Sequence, residues 1–292
     1  MLTKEVISKI HRIEITTKHL VQDLFSGEYH SVFKGQGIEF TEVREYQPGD
    51  DIRTIDWNVT ARYGYPFVKK FREERELLVM ILVDLSASQK FGTAERFKDE
   101  IAAELSAVLA YAAIQNNDKV GLLIFTDQIE KVIPPKKGRY HVLRLIREVL
   151  YFQPSGRGTN LSLALEYTGR MLHRRSIIFL ISDFLTSGYE KALKTLSRKH
   201  DIIALRIKDP REEQLPPSGF LELEDAETGQ QFLIDSSDKT LQRQFGLIRY
   251  KQREDWENLL KQINLDRIEI ATNSSYVEPL VQFFRKRAKR FR

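Results

Sequence analysis

Between residues 77 and 208 the chain alternates short continuous apolar runs with longer stretches whose apolar residues recur every three or four positions. Residues 77–83 are seven consecutive apolar side chains, the pattern of a strand covered on both faces. Residues 95–115 then carry Phe97, Ile101, Leu105, Val108, Leu109 and Ala112 at helical spacing, and Asn116-Asn117-Asp118 stops the helix. A second buried run follows at 120–125, and 129–134 reads as a short edge strand ended by Pro134-Pro135. Helical stripes recur at Val142, Leu145, Ile146, Val149 and Leu150, then at Leu161, Ala164, Leu165, Thr168 and Leu172, with Asn160 as the N-cap. Residues 177–181 predict a strand, 188–198 a helix and 202–207 a strand. This alternation predicts an α/β fold: a mostly parallel sheet with helices on both faces.

The flanks read differently, which divides the chain into 1–76, 77–208 and 209–292. Residues 1–26 form an amphipathic pattern (Val6, Ile10, Ile13, Val21, Leu24), and 35–76 are polar and turn-rich around Gln47-Pro48-Gly49-Asp50. The first segment is therefore expected to be a helix followed by a small β-containing module. After Pro210, Phe220–Leu223 and Gln231–Ile234 predict a hairpin around Glu227-Thr228-Gly229. A helix near 238–263, a short strand Ile268–Ala271 and a final helix from Tyr276 complete an extension packed on the core, with Arg285–Arg292 projecting outward.

Composition narrows the chemistry. The 292 residues include no cysteine, which excludes a disulfide scaffold, a thiolate zinc site and a cysteine nucleophile. The six histidines form no metalloprotease pair, and neither a Gly-x-Ser-x-Gly elbow nor a Walker phosphate loop occurs. No apolar run approaches the about 20 residues needed to span a bilayer, and the start lacks signal-peptide order, so a cytoplasmic protein is expected, with peripheral membrane contact left open. There are 46 Lys and Arg against 41 Asp and Glu, but the last eight residues hold six of the bases and no acid. Without them 40 bases face 41 acids. The basicity belongs to a tail, so nucleic-acid binding is not expected of the body.

Ligands of open parallel sheets sit beyond the carboxyl ends of the strands. There the sequence places Asp84-Leu85-Ser86-Ala87-Ser88 after one strand and Ser182-Asp183-Phe184 after another. Gly156-Arg157-Gly158-Thr159-Asn160 lies at a helix entry between them. If these strands are neighbours, the three loops bring carboxylates and hydroxyls to one edge. Hard oxygens suit Mg²⁺, with Mn²⁺ and Ca²⁺ as the alternatives. Neutral hydroxyl ligands leave most of the ion's charge unquenched, so it seeks a carboxylate that another protein can supply. The bland alternative is that Asp84 and Ser86 cap a helix and Asp183 is an ordinary loop acid.

With these residues in view, 77–208 resembles a von Willebrand factor A domain, and its loops resemble the metal-ion-dependent adhesion site (MIDAS). Asp84, Ser86 and Ser88 match the first loop, Thr159 the second and Asp183 the third. The resemblance implies direct metal binding by Ser86, Ser88 and Thr159, with Asp84 and Asp183 acting through waters or hydrogen bonds. Phe184 stands where many such domains carry Gly, which implies a crowded rim.

Upstream, Gly35-Gln-Gly37-Ile-Glu39-Phe40, Arg44-Glu-Tyr46-Gln-Pro48-Gly49-Asp50-Asp51-Ile-Arg53, Ile55-Asp56-Trp57 and Ala61-Arg62 resemble the signature of a bacterial family. It is the MoxR-associated domain-of-unknown-function family fifty-eight, a branch of the von Willebrand A-like proteins. The resemblance implies a MoxR-type AAA+ ATPase as partner and a chaperone-like role in assembly or maturation of a client. It implies no catalytic step. Arg44, Asp50, Arg53, Asp56 and Trp57 are candidates for docking that partner, against the plainer reading of a solvated, ion-paired module. Two other functions remain open: a metal-dependent hydrolase using the same ion, and a basic tail that binds nucleic acid or anionic membrane.

Overall fold

The computed structural model describes residues 39–72, 76–92 and 96–290, together with Val21. Apart from Val21, the helix expected over 1–26 lies outside the described residues, as does the 35–38 part of the upstream signature. The chain forms two compact units, Phe33–Leu77 and the remainder.

In the smaller unit β1 (Glu39–Glu45) pairs antiparallel with a later strand, and between them lies α1 (Trp57–Tyr63). Asp56 caps α1 by accepting from the Asn58 and Val59 amides. Gly64 ends it at φ +81°, a left-handed position that suits glycine. The return strand is β2 (Phe67–Arg72), and Phe67 stacks with Tyr63 and Tyr65 at ring separations of 5.4 and 5.1 Å.

The larger unit runs β3 (Leu78–Asp84), α2 (Lys98–Gln115), β4 (Lys119–Phe125), β5 (Ile129–Lys136), α3 (Arg139–Tyr151), α4 (Leu161–Met171) and β6 (Ile177–Ser182). It continues with α5 (Glu190–Ser197), β7 (Asp201–Lys208), α6 (Pro210–Glu213), β8 (Phe220–Glu224) and β9 (Gln231–Asp235). The last elements are α7 (Lys239–Gln262), β10 (Asp266–Ala271) and α8 (Val277–Arg290). Six strands form one sheet in the order β10-β7-β6-β3-β4-β5, parallel except for β5. The expected α/β architecture with a mostly parallel sheet is therefore present.

The continuous apolar runs follow from burial on both faces. Met80, Leu82, Ile178, Leu180 and Ala204 join one core cluster with Leu161 and Leu165 of α4, Leu193 of α5 and Trp256 and Leu260 of α7. Side chains alternate along a strand, so the equally buried Val79, Ile81, Val83, Phe179 and Leu205 face the other side. There α2 lies against β3 and β4, and α3 against α2.

Two differences from the sequence reading have local causes. β5 continues through Pro134 and Pro135 to Lys136, because its register shifts there and an edge strand tolerates missing N–H donors. The sheet also extends past 208: β10 pairs parallel with β7 as the outer strand, and Trp256, Leu260 and Leu265 belong to the core cluster.

Part of the tail projects as expected, with Arg285, Lys286, Lys289 and Arg290 exposed, but Arg287 turns inward. Leu280, Phe284 and Arg287 fall on one face of α8, and all three are buried. The Arg287 guanidinium donates to Asp201 and, at 2.7 Å, to Asp266, while Arg290 donates to Asp266 at 3.0 Å. Those carboxylates open the neighbouring strands β7 and β10.

Candidate functional site at the carboxyl edge of the sheet

From β3 the chain builds outward through β4 and β5, then returns to the opposite side of β3 with β6, β7 and β10. Direction reverses between β3 and β6, and such a switch point opens a crevice beyond the strand ends. Val83 aligns with Ile181, so the chain segments after both strands leave the sheet side by side. The neighbour condition on which the sequence reading depended is met.

Asp84, the last residue of β3, is fully buried. Its Oδ2 accepts from the Ser182 hydroxyl at 2.7 Å and its Oδ1 from the Ser86 amide at 2.9 Å. Burial, and then the nearby Asp183 charge, push its pKa up to about 7 against the opposing effect of these hydrogen bonds. The hydroxyls of Ser86 and Ser88 lie 3.1 Å apart, and Ser88 donates to Asp183 Oδ2 at 3.0 Å. Four of the five residues expected at the site thus form one connected chain.

Thr159 belongs to the adjoining loop, tied to the first by the Ala87 amide donating to the Arg157 carbonyl at 2.9 Å. The third loop joins it where the Thr186 hydroxyl donates to the Thr159 carbonyl at 3.3 Å. The Thr159 hydroxyl itself donates to Glu227 Oε1 at 2.8 Å.

The Thr159 loop is held from below by Glu130, which accepts from the Ser155 and Gly156 amides at 3.0 and 2.7 Å. Thr126, Gln128 and the Ser155 hydroxyl add further donors. Desolvation opposes them, but the combined hydrogen bonds, led by Gly156, lower the Glu130 pKa to about 2. Gly156 is sterically required. A Cβ there would sit 1.9 Å from Asp127 Oδ1 and 2.3 Å from Thr126 Oγ1.

A buried cation stands behind the site. Lys98, the first residue of α2, is fully buried. Its ammonium donates to Asp183 Oδ2 at 2.8 Å and to Glu212 Oε1 at 2.6 Å. A lysine at a helix N-terminus is opposed by the helix dipole, and burial alone would lower its pKa. Asp183 and Glu212 outweigh both effects and hold the pKa above the usual lysine value.

The donor chemistry fits a hard divalent cation. Adjacent oxygens of an octahedron with bonds of about 2.1 Å lie about 3.0 Å apart, close to the Ser86–Ser88 and Ser88–Asp183 spacings. Among the described residues no group of three or more His, Cys, Asp and Glu side chains is placed to hold a metal. A cation at this edge would therefore rest on the hydroxyls, with the carboxylates behind them.

Residues 42–255 match the family described as "Protein of unknown function DUF58". The chain belongs to this family. DUF58 relatives include the uncharacterized protein Rv1480 of Mycobacterium tuberculosis H37Rv, 29% identical over 290 residues, or 98% of this chain and 90% of that protein. The uncharacterized protein YeaD of Bacillus subtilis strain 168 is 25% identical over 107 residues, 37% of this chain and 25% of its own length. Among solved structures, an aerotolerance-related membrane protein from Bacteroides fragilis NCTC 9343 is similar at TM-score 0.49 and 19% identity, covering 72% of this chain and 99% of that one. The SpRpn10 VWA domain is similar at TM-score 0.41 and 13% identity, covering 71% and 94%.

Phe184 corrects one expectation for this DUF58 chain. It takes a left-handed backbone, φ 56°, where glycine is the natural occupant. Its ring does not crowd the rim; it is buried against Tyr189 and Trp256, at ring separations of 6.2 and 5.5 Å. That burial offsets a backbone cost of about 1–3 kcal/mol.

The candidate docking residues divide. Arg44 forms a two-pronged ion pair with Asp50 at 2.7 and 2.8 Å, and Asp56 is spent on capping α1 and on Lys69 at 3.5 Å. Arg53 is exposed in the turn capped by Asp51, and Trp57 is 67% exposed. Ile52 and Tyr63 are also exposed, both in short helical turns within a stretch that the sequence pattern marks as polar and turn-rich. Lys98, Glu212, Glu130 and Glu227 are not marked by the sequence pattern as parts of the site, whereas Ser182 stands in the third loop motif. The one available signal was a lysine at the first position of a helix, where the dipole disfavours a cation.

Proposed function

We propose that this chain is a metal-dependent protein-interaction module of the von Willebrand A-like kind, without catalytic activity of its own. Ser86, Ser88 and Thr159 present Mg²⁺ whose remaining coordination takes an acidic side chain from a partner. The observation that carries this reading is the continuous run of hydrogen bonds from Ser182 through Asp84, Ser86 and Ser88 to Asp183 at the switch point. It gathers oxygen donors at metal-ligand spacing, and no histidine belongs to it. The partner that the family resemblance implies is a MoxR-type AAA+ ATPase, which supplies the energy while this chain supplies recognition in assembling or maturing a client. Exposed Arg53 and Trp57 of the smaller unit are offered as part of that docking surface.

Binding to the MoxR-type ATPase of the same organism, measured by surface plasmon resonance, tests this. Excess EDTA and the Ser86→Ala and Asp84→Ala substitutions are each expected to weaken binding at least tenfold. Affinity unchanged by all three sinks the reading.

A further inference from the structure

The sequence reading left the cation in need of a carboxylate from elsewhere, and the fold brings one from the same chain. Glu227 sits at the tip of the β8–β9 hairpin with its Oε1 2.8 Å from the Thr159 hydroxyl. Its other oxygen faces the same loop, 3.7 Å from where a Cβ on Gly158 would stand.

The tip is built to hold that carboxylate in place. Asp225 Oδ1 accepts from the Glu227 and Thr228 amides at 3.0 and 2.8 Å, and its carbonyl accepts from Gly229 at 2.7 Å. Gly229 makes the turn with φ +72°. The base is also fixed: the Ser218 amide donates to Ser236 Oγ at 3.0 Å, and the Ser236 amide to the Gly219 carbonyl at 2.8 Å.

The middle of the arm is different. Leu233 is 72% exposed and Phe232 51%, so little burial fastens the strands to the body. A shaped tip, a tethered base and loosely held strands describe a strap whose end can leave its seat at small cost.

We propose that Glu227 is the chain's own occupant of the loop cluster, an intramolecular carboxylate facing the cation, which the acidic group of a partner must displace. This rests on the metal-site reading above and adds the means by which the site is kept closed.

The probe is Mn²⁺ alone, followed by electron paramagnetic resonance and by water-proton relaxation of the bound ion. Glu227→Gln keeps the shape and removes the charge. It is expected to weaken Mn²⁺ binding about tenfold, the scale of one carboxylate charge near a divalent ion at a wet surface. It is also expected to raise the relaxation per bound ion as water takes the vacated position. Hydrogen exchange supplies the second readout: Mg²⁺ should slow the amides of 227–229 in the wild type and not in Glu227→Gln. If Ser86→Ala abolishes Mn²⁺ binding while Glu227→Gln alters neither affinity, relaxation nor exchange, the strap is overturned and the metal site stands. If the wild type binds no Mn²⁺, both readings fall.

Discussion

Replacing Lys98 by methionine keeps most of the side chain's volume and removes its charge. The ammonium is fully buried, 2.8 Å from Asp183 and 2.6 Å from Glu212, and the two carboxylate side chains are only 3% and 16% exposed. Taking the cation away leaves two poorly hydrated acids facing an apolar tip. Breaking a buried pair in this way costs about 3–5 kcal/mol. A domain of this size shifts its melting temperature by about 2–4 °C per kcal/mol, so Lys98→Met should melt roughly 6–20 °C lower. Urea denaturation at pH 7 measures the free energy directly. Adding Glu212→Gln to Lys98→Met removes one stranded charge and should recover part of the loss. A deficit below about 1 kcal/mol would refute the buried-triad argument.

Two further outcomes follow from other ion contacts. Glu130 has a folded pKa lowered to about 2 from an ordinary value of 4.5, so its stabilisation is present above pH 4.5 and lost as pH falls toward 2. Discounted for its partial exposure, the loss is about 1–2 kcal/mol. Acid titration of stability in Glu130→Gln, compared with wild type, should lack that component, and identical acid profiles would exclude it. Arg287→Met strands Asp201 and Asp266 and should cost about 2–3 kcal/mol in urea denaturation. Lys289→Met, on an exposed part of the same helix, should stay within about 0.5 kcal/mol. Equal effects would return the whole tail to the status of a solvated helix end.

What was legible in the sequence was mostly what a local pattern encodes. Continuous apolar runs such as 77–83 require burial on both faces, and that requirement alone argues for a parallel sheet under two helical layers. The loop residues were legible because they follow those runs directly. Strand order was not, since nothing within 78–84 or 177–182 states that the two are neighbours. β10 was read as a strand, but Asp266-Arg-Ile-Glu-Ile-Ala271 alternates as an edge strand should, and its partner lies more than 60 residues earlier. Arg287 stands among six bases in the last eight residues, a composition that by itself marks a solvated helix end. Its place seven residues after Leu280 and three after Phe284 puts it on the buried stripe.

Lys98 was the least legible residue and the one that most alters the electrostatics of the edge. Its partners lie 85 and 114 residues away, beyond any pattern a single stretch can display. By engaging Asp183 it takes up a charge that the loop spacing had assigned to the metal. A divalent ion among Ser86, Ser88 and Thr159 would then have Asp84 as the carboxylate behind the hydroxyls, engaged by the Ser86 amide and the Ser182 hydroxyl and with its pKa pushed up to about 7 by burial. Such an ion is more electron-poor than one facing two free aspartates, and its attraction for an incoming acid is correspondingly greater. The nearest acid in hydrogen-bond contact with the hydroxyl set, apart from Asp84 and Asp183, is Glu227. The internal lysine and the hairpin carboxylate therefore oppose each other: one sharpens the demand for an external acid, and the other meets that demand from within until a partner competes for it.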